Sequence, residues 1–295
     1  MREEPKRRAS TPVEAALLLT VFFFGTNFTA VKIVVESVPP ILFAATRFTL
    51  AGLLLLFLLR FVEQGIRLRR ADFLAVLGLG VVGITLTQTV FTLGVSLTTA
   101  ANTALVYSTA PVWGMLLGFA LGLERPRLAG ILGIGLSLVG VGFIVYGGLE
   151  FAGTSLVGDA LILVAAVFWG SYTMLSLSLL QRYSPLALAA YAMTLGGLAA
   201  FPLAALDPGG FHVGALDGLT WGAAAYSTLF SSAFGFAAWG WGISHVGANR
   251  VLIYQYLVTL IGVTTGIVLL GEDFGLGQLI GAVVILCGVY LARRK

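Results

Sequence analysis

The sequence predicts an all-α integral membrane protein of ten transmembrane helices, arranged as two inverted five-helix repeats. Three observations carry this. The chain is 58% hydrophobic and only 10% charged. Its basic residues alternate along the connectors, and its second half restates its first. A helix needs ~20 apolar residues to cross a bilayer. That rule places spans at 13–35, 40–61, 73–95, 99–122, 127–147, 157–180, 185–205, 218–243, 247–270 and 275–292. The first stretch lacks a small-residue cleavage site and is long for a signal segment, so it reads as a retained helix. Barrel strands would alternate polar and apolar residues over ~10 positions. The run from Leu50 to Leu59 does not.

Shifting the sequence by 145 residues superposes Gly25 on Gly170, Pro40 on Pro185 and Gly52 on Gly197. Shifting it by 148 superposes Gly94 on Gly242, Ser96 on Ser244, Glu124 on Glu272, Gly133 on Gly281 and Gly140 on Gly288. Five spans per copy is an odd number, so the copies should face opposite ways, an architecture that recurs in alternating-access carriers. The predicted layout is a tail at 1–12, repeats at 13–148 and 157–292, and a tail at 293–295. Of the 17 Lys and Arg, all but Lys32 and Arg47 fall at the chain ends or in even-numbered connectors. The positive-inside rule makes that side cytoplasmic and puts both termini there. A net charge of +4 distributed in this way points to membrane topology, with no nucleic-acid partner.

Two cations lie within spans. Lys32, four residues before Glu36, could pair with it or snorkel to the surface. Arg47 is about two turns deep, where a charge costs ~2.5–3.5 kcal/mol on insertion scales. It could bind a substrate carboxylate, cap the carbonyls of a broken helix, or fix packing. None of the 13 acidic residues sits near the midplane, so a buried proton carrier is not evident. Neutral polar and aromatic residues do sit there, among them Asn27, Gln88, Tyr107, Trp169, Tyr172, Tyr226, Trp239 and Tyr254. Together they suit a cavity for a small solute with a polar head and an apolar body. Asn102 and Asn249 match at an offset of 147. The stripe of Ala129, Gly133, Ser137 and Gly140, echoed by Gly277, Gly281 and Gly288, suits close helix packing, within a monomer or between the protomers of a homodimer. Cys287, the single cysteine, reads as a packing residue.

Catalysis lacks its parts: no HExxH, no paired intramembrane carboxylates, no Cys/His cluster. No metal or cofactor is expected, and the chain does not read as an enzyme. A channel would need charged rings or a carbonyl filter.

The segments FGTNFTAVK at 24–32, PPILFAATRF at 39–48 and LERPRLAGILGIGLSLVGVG at 123–142, with FWGSY at 168–172 and LLGEDFGLGQLIGAVVILCGV at 269–289, resemble the drug/metabolite transporter superfamily. Within it the chain resembles EamA-type ten-helix carriers, and among those the YddG-type amino-acid exporters. The resemblance spans essentially the whole chain. It implies export of amino acids, aromatic ones included, across a bacterial inner membrane, or of drugs or nucleoside-like metabolites on the same fold. The family's membrane Arg and Asn match Arg47 and Asn27; these are expected to meet the charged head group, while Trp169, Tyr172 and Tyr254 are expected to cover the side chain. The second copy departs, with Ala192 in place of Arg47 and Tyr172 in place of Asn27.

Overall fold

A computed structural model describes residues 11–63, 67–122, 128–148, 155–206 and 216–293. The basic tail before residue 11, Glu124, Arg125, Arg127, Glu150, Asp207 and His212 lie outside the described residues. Among those described the secondary structure is helical, with no strand.

The rods, in chain order, are α1 (Thr11–Val35), α2 (Pro40–Val62), α3 (Arg70–Leu97), α4 (Ala100–Ala120), α5 (Leu128–Gly148), α6 (Leu156–Leu179), α7 (Pro185–Ala204), α8 (218–246), α9 (Ala248–Leu270) and α10 (Leu276–Arg293). Pro40 and Pro185 start α2 and α7, where a missing N–H costs nothing. Thr99 and Ser155 cap α4 and α6 through side-chain oxygens that accept from Asn102 N and Gly158 N.

Seven rods (α1, α2, α3, α4, α6, α7 and α9) are long and apolar enough to cross a membrane. The apolar parts of α5 and α10 are shorter, Ile131–Ile144 and Leu276–Gly288. In α8, Ser227, Ser231 and Ser232 dilute the hydropathy of an otherwise long rod. The burial pattern fits a lipid solvent. Leu50, Phe57, Phe61, Leu132, Val268 and Leu269 are exposed, while Arg47, Gln88, Asn102 and Gln255 are buried.

Helix α5 packs along α10, α2 along α7, α1 along α9, and α6 against α3 and α4. Glycines set the approach of these pairs. A methyl group at Gly52 of α2 would stand 2.5 Å from the backbone nitrogen of Thr194 in α7. One at Gly197 of α7 would stand 2.6 Å from that of Thr49 in α2.

Two rods carry wide π-helical turns, Val81–Leu86 in α3 and Ser227–Phe234 in α8. Such a turn inserts an extra residue and redirects the side chains beyond it, and it often marks a functional site. In α4 the helix breaks between Tyr107 and Ala110, just ahead of Pro111.

Lys32 neither snorkels nor forms an ion pair with Glu36 among the described residues. Its Nζ donates to the carbonyls of Val95 (3.1 Å) and Thr98 (2.6 Å), which α3 leaves unpaired where it ends. Nearby, the Glu272 carboxylate accepts from Ala100 N at 2.6 Å and Ala101 N at 2.8 Å, at the start of α4.

Candidate functional site

Near the middle of the bundle, Phe24, Asn27 and Phe28 of α1, Arg47 of α2, Gln88 and Phe91 of α3 and Tyr107 of α4 converge. With Trp169 of α6, Ser231 and Phe236 of α8, and Gln255 and Val258 of α9, they enclose a cavity. Its empty space, opening included, is about 400 Å³. It is mainly aromatic, and Arg47 is its one side chain with a fixed charge.

Arg47 is 2% exposed. Its Nη1 donates to Ser227 Oγ at 2.7 Å and its Nη2 to Gln88 Oε1 at 2.8 Å. Ser227 in turn donates to Asn27 Oδ1. Ser227 opens the π turn of α8, and Gln88 lies just past that of α3. Both widened turns therefore serve to aim a neutral acceptor at one guanidinium. The ring of Phe48 lies 4.4 Å from its Cζ and that of Phe43 at 5.2 Å, giving cation–π support from the flank. The ion pair of Arg182 with Asp72 lies outside the cavity lining. A buried charge held only by neutral groups is costly, and its Nε–H has no partner.

A cluster of rings adjoins this group, since Phe236 packs on Phe48 at 5.2 Å. Trp169 packs edge-to-face on both Phe24 (5.9 Å) and Phe236 (5.2 Å), with Tyr172 stacked on it at 5.4 Å and Trp239 tilted at 5.6 Å. Two glycines make room: a methyl at Gly83 would meet the Tyr172 ring at 2.0 Å, and one at Gly235 the Phe24 ring at 2.4 Å. Trp239 Nε1 donates to Thr173 Oγ1 at 3.3 Å, whereas Trp169 Nε1 and Gln255 Oε1 are buried without a partner. A third group of rings, Phe28, Phe91 and Tyr107, packs at centroid separations of 5.3 to 6.2 Å.

Of the residues singled out from sequence, Asn27, Arg47, Gln88, Tyr107 and Trp169 line this cavity. Tyr172 and Trp239 stand behind Trp169 as its support. The structure does not bring Tyr226 or Tyr254 to the lining. Tyr226 bonds Thr26 and packs on Phe23 and Phe230, while Tyr254 is half-buried within electrostatic reach of Glu14. Sequence reasoning did not assign Phe24, Phe28, Phe91 and Phe236, because an apolar ring facing a cavity looks like one facing lipid. Ser231 and Gln255 carried a signal, as polar residues at mid-span.

Residues 12–146 and 156–294 each match the EamA-like transporter family. The chain belongs to that family. It is similar to a protein of Archaeoglobus fulgidus named as an uncharacterized transporter, 28% identical over 279 residues that cover 95% of this chain and 98% of the relative. A probable terminal-alkyne amino-acid exporter of Streptantibioticus cattleyicolor is 28% identical, covering 95% of this chain and 93% of its own. A probable amino-acid metabolite efflux pump of Salmonella typhimurium is 26% identical, with 93% and 92% covered. A solved crystal structure superposes with a TM-score of 0.68 over 97% of this chain and 98% of its own, at 19% identity, a likeness of fold. This EamA-family chain is thus a multi-pass membrane transporter whose buried arginine faces an aromatic cavity.

Proposed function

We propose that this transporter exports amino acids, aromatic ones included, across the inner membrane by alternating access around the Arg47 cavity. The observation that carries the reading is Arg47 itself: a buried cation at a cavity wall, with an unpartnered N–H and no acidic partner among the described residues. A substrate carboxylate would supply the missing anion, and the rings of Trp169, Phe24 and Phe236 would cover an apolar side chain. The named activities of the Streptantibioticus and Salmonella relatives support the same substrate class. The lining's lack of a carboxylate speaks against a cationic drug as substrate.

The mechanism needs two halves that exchange roles, and reciprocal contacts support an inverted pair of five-helix repeats. Gly52 abuts Thr194 as Gly197 abuts Thr49, and both pairs of positions are related by the 145-residue shift. Gly94 abuts Ile162 as Gly242 abuts Leu17. Gly140 abuts Ile285 and Gly281, as Gly288 abuts Ser137 and Gly133. The family match falls twice, once on each half. Ten crossings with cytoplasmic termini fit the charge alternation of the connectors.

The test is counterflow: protein in liposomes loaded with unlabelled amino acids, with labelled phenylalanine or threonine outside and no ion gradient. Accumulation of both labels, greater for phenylalanine, is expected. If neither accumulates with or without a pH gradient, the amino-acid reading fails.

A further inference from the structure

The charge balance of the cavity reaches beyond amino acids. An α-amino acid at neutral pH is a zwitterion, so its ammonium must find a place within a few ångströms of the carboxylate that Arg47 holds. This lining offers it no anion. It contains no Asp or Glu, and its remaining acceptors are neutral: Gln255 Oε1, buried without a partner, and the hydroxyls of Ser231 and Tyr107. Asn27 Oδ1 already accepts from Ser227, and Gln88 Oε1 from Arg47. Of the described carboxylates on or beside the lining helices, Glu14 is exposed at the start of α1, and Asp159 and Glu272 are committed elsewhere. Asp159 accepts from Thr98 and Asn102, and Glu272 from the first amides of α4.

Low dielectric sharpens the contrast. A ligand of net charge −1 cancels the charge of Arg47 and leaves a neutral buried pair. A zwitterion leaves the site at +1 and sets an ammonium near a guanidinium. The donors, by contrast, are arranged for an anion. Two N–H groups of Arg47 hold its plane through Ser227 and Gln88, leaving the Nε–H edge unpartnered, and Trp169 Nε1–H is also buried and unpartnered. The same Trp169 stands in the ring wall, so an aryl group and its acid would contact one continuous surface.

We infer that the cavity takes aryl-bearing monocarboxylates without an amino group, and binds them more tightly than the amino acid of the same side chain. This rests on the reading of the Arg47 cavity as the transport site. Three probes share one phenyl ring and differ only in charge: 3-phenylpropionate (acid alone), phenylalanine (acid and amine) and 2-phenylethylamine (amine alone). Their binding to the purified full-length protein in detergent at neutral pH is measured by calorimetry. Phenylpropionate should bind roughly tenfold or more tightly than phenylalanine, and phenylethylamine should not bind. Arg47→Gln should remove the preference for the acid. Comparison of the three probes on the unaltered protein decides the matter even if that variant does not fold.

Phenylalanine binding as tightly as phenylpropionate, or more tightly, would overturn the inference, because it would mean that the amine is recognised. The amino-acid reading would survive that result. Equal binding of phenylethylamine and phenylpropionate would also overturn it, by showing that the ring alone is read. No binding of phenylpropionate or phenylalanine would overturn both the inference and the amino-acid reading.

Discussion

Arg47 of α2 reaches Ser227 of α8 at 2.7 Å, and Ser227 passes the hydrogen bond on to Asn27 of α1. Three helices are thereby joined through one hydroxyl at the entrance to a π turn. Ser227→Ala removes both bonds and frees the guanidinium to rotate. A hydrogen bond to a charged group contributes ~1.5–3 kcal/mol, but water can replace part of it. Binding of 3-phenylpropionate should weaken by about 5- to 50-fold, and the melting temperature should fall because Arg47 and Asn27 each lose a buried partner. Unchanged affinity would mean that Gln88 alone orients Arg47.

Trp169 separates substrate recognition from packing. Its ring faces the cavity, while Tyr172 and Trp239 support it from behind. Trp169→Ala should reduce phenylalanine counterflow by about tenfold through lost ring contact, and threonine counterflow far less. Equal losses for both labels would assign Trp169 to packing alone.

The contact of α2 with α7 is tested by three glycines. Gly52→Ala and Gly197→Ala each force a methyl to within 2.6 Å of a backbone nitrogen, which cannot move as a side chain can. Overpacking of this kind costs ~1–3 kcal/mol. Both variants should lower the melting temperature by similar amounts. Gly78→Ala in α3, where nothing lies within 4 Å, should leave it unchanged or raise it. Very different effects at Gly52 and Gly197 would count against the reciprocal relation of the two halves.

Asp159 and Glu14 are related by the 145-residue shift, yet Asp159 is 1% exposed and Glu14 lies in the open. Asp159 joins Thr98 (2.7 Å) and Asn102 (3.2 Å), and Asn102 accepts from Gln278. This network ties α6 to α4 and α10 at one end of the bundle, outside the cavity lining. If the halves exchange conformations, the network must open in each cycle. Asp159→Ala should then change the counterflow rate several-fold while phenylpropionate affinity stays within about twofold, since ligand contacts are untouched. An equal change in both would place Asp159 in the binding step.

The helices were legible in the sequence because lipid demands long apolar runs. The expected spans 13–35 and 99–122 became Thr11–Val35 and Ala100–Ala120. Arg47 stood out in the sequence by its depth, and the structure buries it at the cavity. The π turns were not, since one extra residue in a uniformly apolar helix leaves no mark in hydropathy. Their effect is large, because they bring Ser227 and Gln88 to Arg47. Lys32 shows the opposite error: its spacing from Glu36 suggested an ion pair, but the unpaired carbonyls at the end of α3 capture it. Phe24 and Phe236 were hidden by chemistry, since their inward direction is a property of packing.

The most direct test of the account is counterflow of labelled phenylalanine in liposomes carrying the wild-type protein, Arg47→Lys or Arg47→Gln, each checked for folding by its melting temperature. Accumulation is expected for wild type, reduced accumulation for Arg47→Lys, which keeps the charge but loses the planar fork, and none for Arg47→Gln. A folded Arg47→Gln protein that accumulates phenylalanine like wild type would contradict that expectation, leaving Arg47 as a structural cation and the carboxylate site elsewhere.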